Sequence, residues 1–130
     1  IFEDGLQSRD FIHVSDLTRA CVMALENDGA SYKVMNVGTG RPLCILEVGR
    51  SIASELGRPT DDFIIRNQFR AGDIRHCYAD VSLIENVLGF KARIEFRDGV
   101  RELCEWVAQE SARDLVDNAT MELEDRGLAR

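Results

Sequence analysis

The sequence predicts a small mixed α/β domain, and two patterns predict it. Short runs rich in strand formers alternate with segments whose apolar residues recur at helical spacing. Glycines stand just past three of those helical segments, at Gly29, Gly57 and Gly89, where helices commonly end. The expected order is strand, helix, strand, helix, strand, helix, helix.

The stretch DGLQSRDFIHVSDLTRA, residues 4–20, opens on an Asp4-Gly5 turn and runs into alternating residues, so Arg9 falls at the start of a short strand. Ser15 and Asp16 then offer side-chain oxygens to begin a helix. From Ser15 to Asn27, the residues Leu17, Ala20, Cys21, Ala24 and Leu25 follow the i, i+3, i+4, i+7, i+8 template. YKVMNVG, residues 32–38, is rich in strand formers and stops at a glycine. A second helix is expected from about Ile45 to Leu56, with Ile45, Val48, Ile52, Ala53 and Leu56 on one face and Pro59 soon after its end. Cys44 and Glu47 hold the two positions of a capping box in which Ser or Thr usually stands first, so a weakened cap is expected. DFIIRN, residues 62–67, reads as another short strand. Asp80 is placed to cap a short helix carrying Val81, Ile84, Val87 and Leu88. The last clear helix opens near Phe96 and uses Val100, Leu103, Cys104 and Val107. Residues 111–130, with weak periodicity through Leu115, Ala119 and Leu123 amid many charges, read as a solvated helical extension or tail to a domain of residues 1–110.

A chain of 130 residues suits one domain, and 45% hydrophobic content is ordinary for a folded globule. No apolar run approaches the roughly 18 residues of a membrane span, and no basic-then-apolar leader is present. No membrane partner and a cytoplasmic location are therefore expected. The net charge of −7 argues against a nucleic-acid surface. Of the 16 basic residues only Lys33 and Lys91 are lysines. Arginine suits bidentate phosphate contacts, although a GC-rich genome produces the same bias. Cys21, Cys44, Cys77 and Cys104 form no Cys-x-x-Cys pair, and neither His13 nor His76 has a ligand neighbour, so no metal site is expected. The first residue is Ile1, and the strands are few for the helices they must cover. Both features lead us to expect a piece of something longer.

Two loops carry the chemistry. NVGTGRPLCILEVG, residues 36–49, places Gly-x-Gly between a strand and a helix, as a dinucleotide fingerprint would. The third glycine position is Leu43, Pro42 stands in the turn, and no acidic residue closes a following strand. A structural turn is the better reading. In FRAGDIRHCYAD, residues 69–80, Arg70 precedes Ala71-Gly72-Asp73 in a loop. Arg9 and Arg70 could converge on one anion, and a diphosphate suits two planar forks. Asp73 suits ribose hydroxyls. From spacing alone the better reading of the same side chains is ion pairs, Arg9 with Asp73 or Asp10 and Arg70 with another carboxylate.

DGLQSRDFIHVSDLTRACVMALE, YKVMNVGTGRPLCILEV and RAGDIRHCYADVSLIENVLGF lie in the order and at the intervals of a known family. Together they resemble the C-terminal part of NAD-dependent sugar-nucleotide epimerases and dehydratases, of the extended short-chain dehydrogenase/reductase family, over roughly residues 1–107. The resemblance implies a fragment of a Rossmann-type enzyme: a substrate-binding domain that closes over a dTDP- or UDP-sugar, with NAD on a separate N-terminal domain and a homodimeric parent. It assigns Arg9 and Arg70 to the diphosphate and Asp73 to the ribose. Ile1 and Phe2 fall along the base, while His13, Asp16 and Asp10 take structural places. The family's chemistry needs Tyr-x-x-x-Lys, in which the Tyr acts as acid/base while NAD transiently oxidises the sugar. Here Tyr32 and Tyr78 are followed at that spacing by Asn36 and Ser82, so this chain alone is expected to be inactive. GDIRHCYAD is most similar to 4-epimerases of dTDP-type sugars. A 4,6-dehydratase or decarboxylase is the alternative, and a stand-alone nucleotide-binding or structural module is the alternative of another class.

Overall fold

The computed structural model describes residues 1–111 and 113–128. Its elements are β1 (Ser8–Asp10), α1 (Val14–Leu25), a 3-10 turn (Asp28–Ala30), β2 (Pro42–Cys44), α2 (Ile45–Glu55), β3 (His76–Cys77), α3 (Ser82–Leu88), α4 (Phe96–Val107) and α5 (Val116–Asp125). The strands form one small sheet in the order β2-β1-β3, with β1 antiparallel to β2 and parallel to β3. The mixed α/β class and the four expected helices are present, and α5 lies within residues 111–130.

Two of the expected strands are not strands. Residues 34–37 alternate as a strand does, with Met35 and Val37 packed on the core and Val34 92% exposed, after a turn at Tyr32, whose φ is +60°. Among the described residues no neighbouring strand completes a ladder with them. Residues 62–67 run instead beside the amino-terminal residues, where Ile1 donates its N–H to Ile64 O (2.8 Å) and accepts from Arg66 N–H (3.0 Å). The strands that do flank β1 carry little local signal. β2 begins at Pro42, paired with Asp10 at the end of the ladder, where a missing N–H matters least. β3 is two residues long, too short for alternation to show.

Helix starts depart from expectation in one place. His13, not Ser15 or Asp16, caps α1: its Nδ1 accepts from the Ser15 N–H at 3.2 Å. Asp16 is 2% exposed, and a carboxylate buried that deeply requires partners. It accepts from the Arg93 and Ile94 N–H groups (2.8 and 2.9 Å) and pairs with Arg19 (2.7 Å), tying α1 to the link between α3 and α4. The buried face of α1 is rotated accordingly. Ala20 is in the core with Met23 and Ala24 against it, while Cys21 and Leu25 face outward. At α2, Glu47 completes its half of the capping box by accepting from the Cys44 N–H at 3.0 Å. Asp80 accepts from the Ser82 N–H (3.0 Å) at the start of α3, which ends at Gly89 in the left-handed conformation.

The main core gathers Ala20, Ala30, Ile84, Leu88 and Phe90, with Ile12, Met35, Val37 and Val87 around them. α2 and α4 pack together, with Ala53 the buried residue of the first and Val100 and Cys104 those of the second. The total exposed surface is 9424 Å². A folded monomer of this mass exposes roughly 6,900 Å², so this chain presents much more surface than its size requires. Val14, Leu17, Val22 and Leu25 on α1 contribute, as do Val34, Ile64 and Trp106. No helix among the described residues is long and apolar enough to cross a membrane.

Candidate nucleotide-sugar site

The Gly38-Thr39-Gly40 turn is filled by the chain itself. Asp10 directs its carboxylate into the turn and accepts from the Thr39 N–H (2.9 Å), the Thr39 hydroxyl (2.5 Å), the Gly40 N–H (2.9 Å) and the Ala79 N–H (3.3 Å). A Cβ at Gly38 would lie 2.5 Å from Asp10 Oδ2 and 2.6 Å from the Ala79 methyl, so only glycine permits this approach. Burial, the largest single influence on Asp10, pushes its pKa up. The hydrogen bonds from Thr39, Gly40 and Ala79 together outweigh it and hold the pKa below the ordinary carboxylate value. A pyrophosphate brought to this turn would meet a carboxylate already using its donors. The Gly-x-Gly turn is therefore structural, and this chain's residues do not cradle a dinucleotide there.

Asp10 pins the end of β1, and strand alternation sends its neighbour Arg9 to the opposite face. Arg9 Nη1 donates to Ser8 O (2.8 Å) and Arg75 O (3.1 Å). Among the described residues no carboxylate lies within ion-pair distance of it, so it pairs with neither Asp10 nor Asp73. The carbonyl contacts hold one edge of the fork and leave other N–H groups for a ligand.

Phe2, Arg70 and Asp73 come together. The Arg70 guanidinium lies 5.2 Å from the centre of the Phe2 ring, and Asp73 Oδ2 accepts from its Nε (2.9 Å) and pairs with Nη2 (2.8 Å). The partner of Arg70 is thus Asp73 itself, one turn away. The intervening residues form a tight turn, closed by the Asp73 N–H on Arg70 O (3.1 Å), with Gly72 at φ +89°. Arg9 reaches the same stretch of chain through its contact with Arg75 O.

Sequence reasoning missed Arg75. Its two terminal nitrogens donate to Glu3 (2.6 Å) and Asp4 (2.7 Å), fastening the loop before β3 to the amino-terminal residues. The hydrogen bond from Arg75 is the main cause that holds the Asp4 pKa below its ordinary value. Glu3 and Asn67 both adopt positive φ (51° and 52°) without being glycines, and the Asn67 N–H donates to Glu3 O at 3.1 Å. Such conformations cost about 1–3 kcal/mol each and persist where surrounding contacts enforce them. Glu3, Asp4, Asn67, Phe69, Asp73 and Arg75 line a cavity of about 360 Å³. Larger cavities of about 510 and 380 Å³ lie along Thr39–Leu43 and α4 and touch none of Phe2, Arg9, Arg70 or Asp73. Charges about 70 residues apart leave no local pattern, so nothing in the sequence announces the Arg75 clamp.

The sequence model of the family described as GDP-mannose 4,6 dehydratase matches residues 1–103. The chain belongs to this family. The dTDP-L-rhamnose 4-epimerase of Burkholderia thailandensis is 34% identical over 113 residues, which are 87% of this chain and 31% of that protein. The UDP-glucose 4-epimerase of Bifidobacterium longum, solved in complex with NAD+ and UDP, superposes with a TM-score of 0.70 at 34% identity over 82% of this chain and 32% of its own. The UDP-glucose 4-epimerase of Thermotoga maritima, solved with UDP-glucose, superposes with a TM-score of 0.75 at 26% identity, over 84% of this chain and 34% of its own. The chain spans about a third of the length of these relatives. The family comprises NAD-dependent sugar-nucleotide epimerases and dehydratases, and its small mixed α/β part is the one seen here.

Proposed function

We propose that this chain is the nucleotide-sugar-binding part of an NAD-dependent nucleotide-sugar 4-epimerase. Arg9 and Arg70 receive the diphosphate, Asp73 accepts from a ribose hydroxyl, and Phe2 lies along the base. The observation that carries the reading is Arg9: a guanidinium fixed by two carbonyls, without a carboxylate partner among the described residues, beside the loop that holds Arg70. The cavity next to that loop is lined by Glu3, Asp4 and Asp73. Arg75 lines it too and pairs with Glu3 and Asp4, and carboxylates held in this way keep lone pairs that accept from hydroxyls, which fits the uncharged parts of a nucleotide. The large exposed surface and the apolar outer face of α1 suit a domain resting against a further part of a parent enzyme, which we read as a homodimer. Hydride chemistry falls to that further part, since no Tyr-x-x-x-Lys is present here. The free thiols of Cys21, Cys44, Cys77 and Cys104 suit a reducing cytoplasm. The same binding half would serve a 4,6-dehydratase, the activity the family's description names.

Titration calorimetry of UDP and dTDP with the full-length parent tests the assignment. Each charge-assisted hydrogen bond is worth about 1.5–3 kcal/mol, so Arg9→Ala or Arg70→Ala should weaken binding roughly ten- to hundredfold. Lysine at either place should rescue only part, because a point charge does not reproduce the fork. Asp73→Ala should cost less, since it removes a ribose contact and at the same time frees Arg70. NAD affinity should stay unchanged in all three. Two arginine variants that bind both nucleotides as tightly as wild type but unfold at lower temperature would make these arginines structural.

A further inference from the structure

We propose that the segment Val116–Leu128, through the turn that ends α5, positions the Arg70–Asp73 turn for its anionic ligand. α5 ends at Asp125 and the chain reverses at Gly127, whose φ is +63°. The Leu128 N–H donates to Leu123 O (2.9 Å) and the Gly127 N–H to Glu124 O (2.9 Å). These are the paired bonds of a Schellman motif, which favours glycine at its left-handed position. The reversal brings the Leu128 carbonyl onto the turn, where it accepts from the Ala71 N–H at 2.7 Å.

Among the described residues this is the one backbone hydrogen bond joining residues 70–73 to another element. Among the described residues the other restraints on the turn are its own closing bond, the half-exposed Arg70–Asp73 pair and the Phe2 ring. No atom of the described residues lies within 4 Å of where a Cβ on Gly72 would be. Within α5, Thr120 is 8% exposed and its hydroxyl donates to Val116 O of the same helix at 2.8 Å, so the hold of this segment on the turn is the Leu128 carbonyl. The match to the family's sequence model stops at residue 103, short of this segment. A ligand that needs Arg70 in one orientation binds with an affinity scaled by the fraction of time the turn holds it there. The inference rests on reading Arg70 as a diphosphate ligand. It makes the segment a positioning device that does not touch the ligand.

The test is NMR on the 130-residue chain, following Ala71 amide exchange and titrating with UDP. The variants are truncation after Glu110, Gly127→Val, which resists the left-handed conformation, and Gly127→Asn, which tolerates it. Truncation and Gly127→Val should speed Ala71 exchange about tenfold or more and weaken UDP binding about fivefold, with Gly127→Asn restoring both. In an Arg70→Ala background truncation should change UDP affinity less than about twofold, because nothing remains to be positioned. Unchanged Ala71 protection after truncation overturns the proposal, as does lost protection with unchanged UDP affinity. An equal loss in the Arg70→Ala background also overturns it, since that marks general destabilisation. If the intact chain binds UDP while Ala71 exchanges freely, the site stands and the clamp alone fails. If Ala71 is protected but UDP does not bind, the site reading fails and takes the positioning role with it.

Discussion

Asp10→Ala removes the carboxylate around which the Gly38–Gly40 turn is built. Three N–H groups and the Thr39 hydroxyl lose their acceptor together. A hydrogen bond to a charged group contributes about 1.5–3 kcal/mol, but the four do not add. Water re-satisfies the half-exposed donors, and deleting the carboxylate also deletes the cost of burying it. A net loss of about 3 kcal/mol is expected, which for a chain of this size lowers the melting temperature by roughly 10 °C. Asp10→Asn keeps the shape and one acceptor but turns an NH2 group toward the turn's donors, so it should fall between. The pH dependence gives a second check. The folded pKa of Asp10 is lowered, so its stabilisation is fully present above the unfolded value near 3.9 and is lost as pH falls through the folded one. Urea unfolding followed by circular dichroism from pH 7 down to pH 3 should show wild type and Asp10→Ala well separated at neutral pH and converging in acid. A variant within about 0.5 kcal/mol of wild type at pH 7, below the range expected for one such bond, would refute the account of the turn. So would a gap that ignores pH.

Asp16→Ala should cost about 3–5 kcal/mol, since it leaves Arg19 and two part-buried N–H groups without this partner; fast exchange of the Arg93 and Ile94 amides would locate the damage. His13→Ala should cost about 1 kcal/mol through loss of the α1 cap. Gly99→Ala, whose Cβ would sit 3.0 Å from His13 Cδ2, should then be better tolerated in that background than alone, as thermal melts would show. The isolated chain, exposing 9424 Å² with an apolar outer face on α1, should bind an apolar dye and unfold over a broad urea range. A steep transition without dye binding would count against a missing partner domain.

The helices were legible because each carries its own signal. Apolar spacing placed the first four and left α5 as a helical extension or tail, and Gly57 and Gly89 mark the ends of α2 and α3 through a left-handed φ that other residues adopt at a cost. The strands were not, because a strand is completed by its neighbour. Residues 32–38 have the composition and alternation of a strand and find no ladder among the described residues, while Pro42–Cys44 and His76–Cys77 have almost no strand signal and become strands by lying against β1. The face of α1 was misplaced for a related reason. A template that counts apolar residues cannot foresee that Asp16 goes inside because two backbone N–H groups from residues 93 and 94 come to meet it.

The candidate site was found by resemblance and is sharpened by geometry. Spacing favoured ion pairs over ligand contacts for Arg9 and Arg70, and the structure treats the two differently. Arg9 has no carboxylate partner among the described residues, whereas Arg70 is paired with Asp73. That pairing does not argue against a ligand role. An exposed ion pair is worth about 0–1 kcal/mol, less than one charge-assisted bond to a diphosphate at about 1.5–3 kcal/mol. Both partners here are roughly one-third to one-half exposed, with 47% for the arginine side chain and 34% for the aspartate. The pair is therefore strong enough to set the direction of the fork and weak enough to give way to a phosphate oxygen. Asp16 and Arg19 show the contrast: a pair whose carboxylate side chain is 3% exposed and also holds two backbone amides cannot exchange partners without unfolding its surroundings. Between these two pairs the difference is the burial of the carboxylate, 3% exposed at Asp16 against 34% at Asp73, and not the presence of a partner.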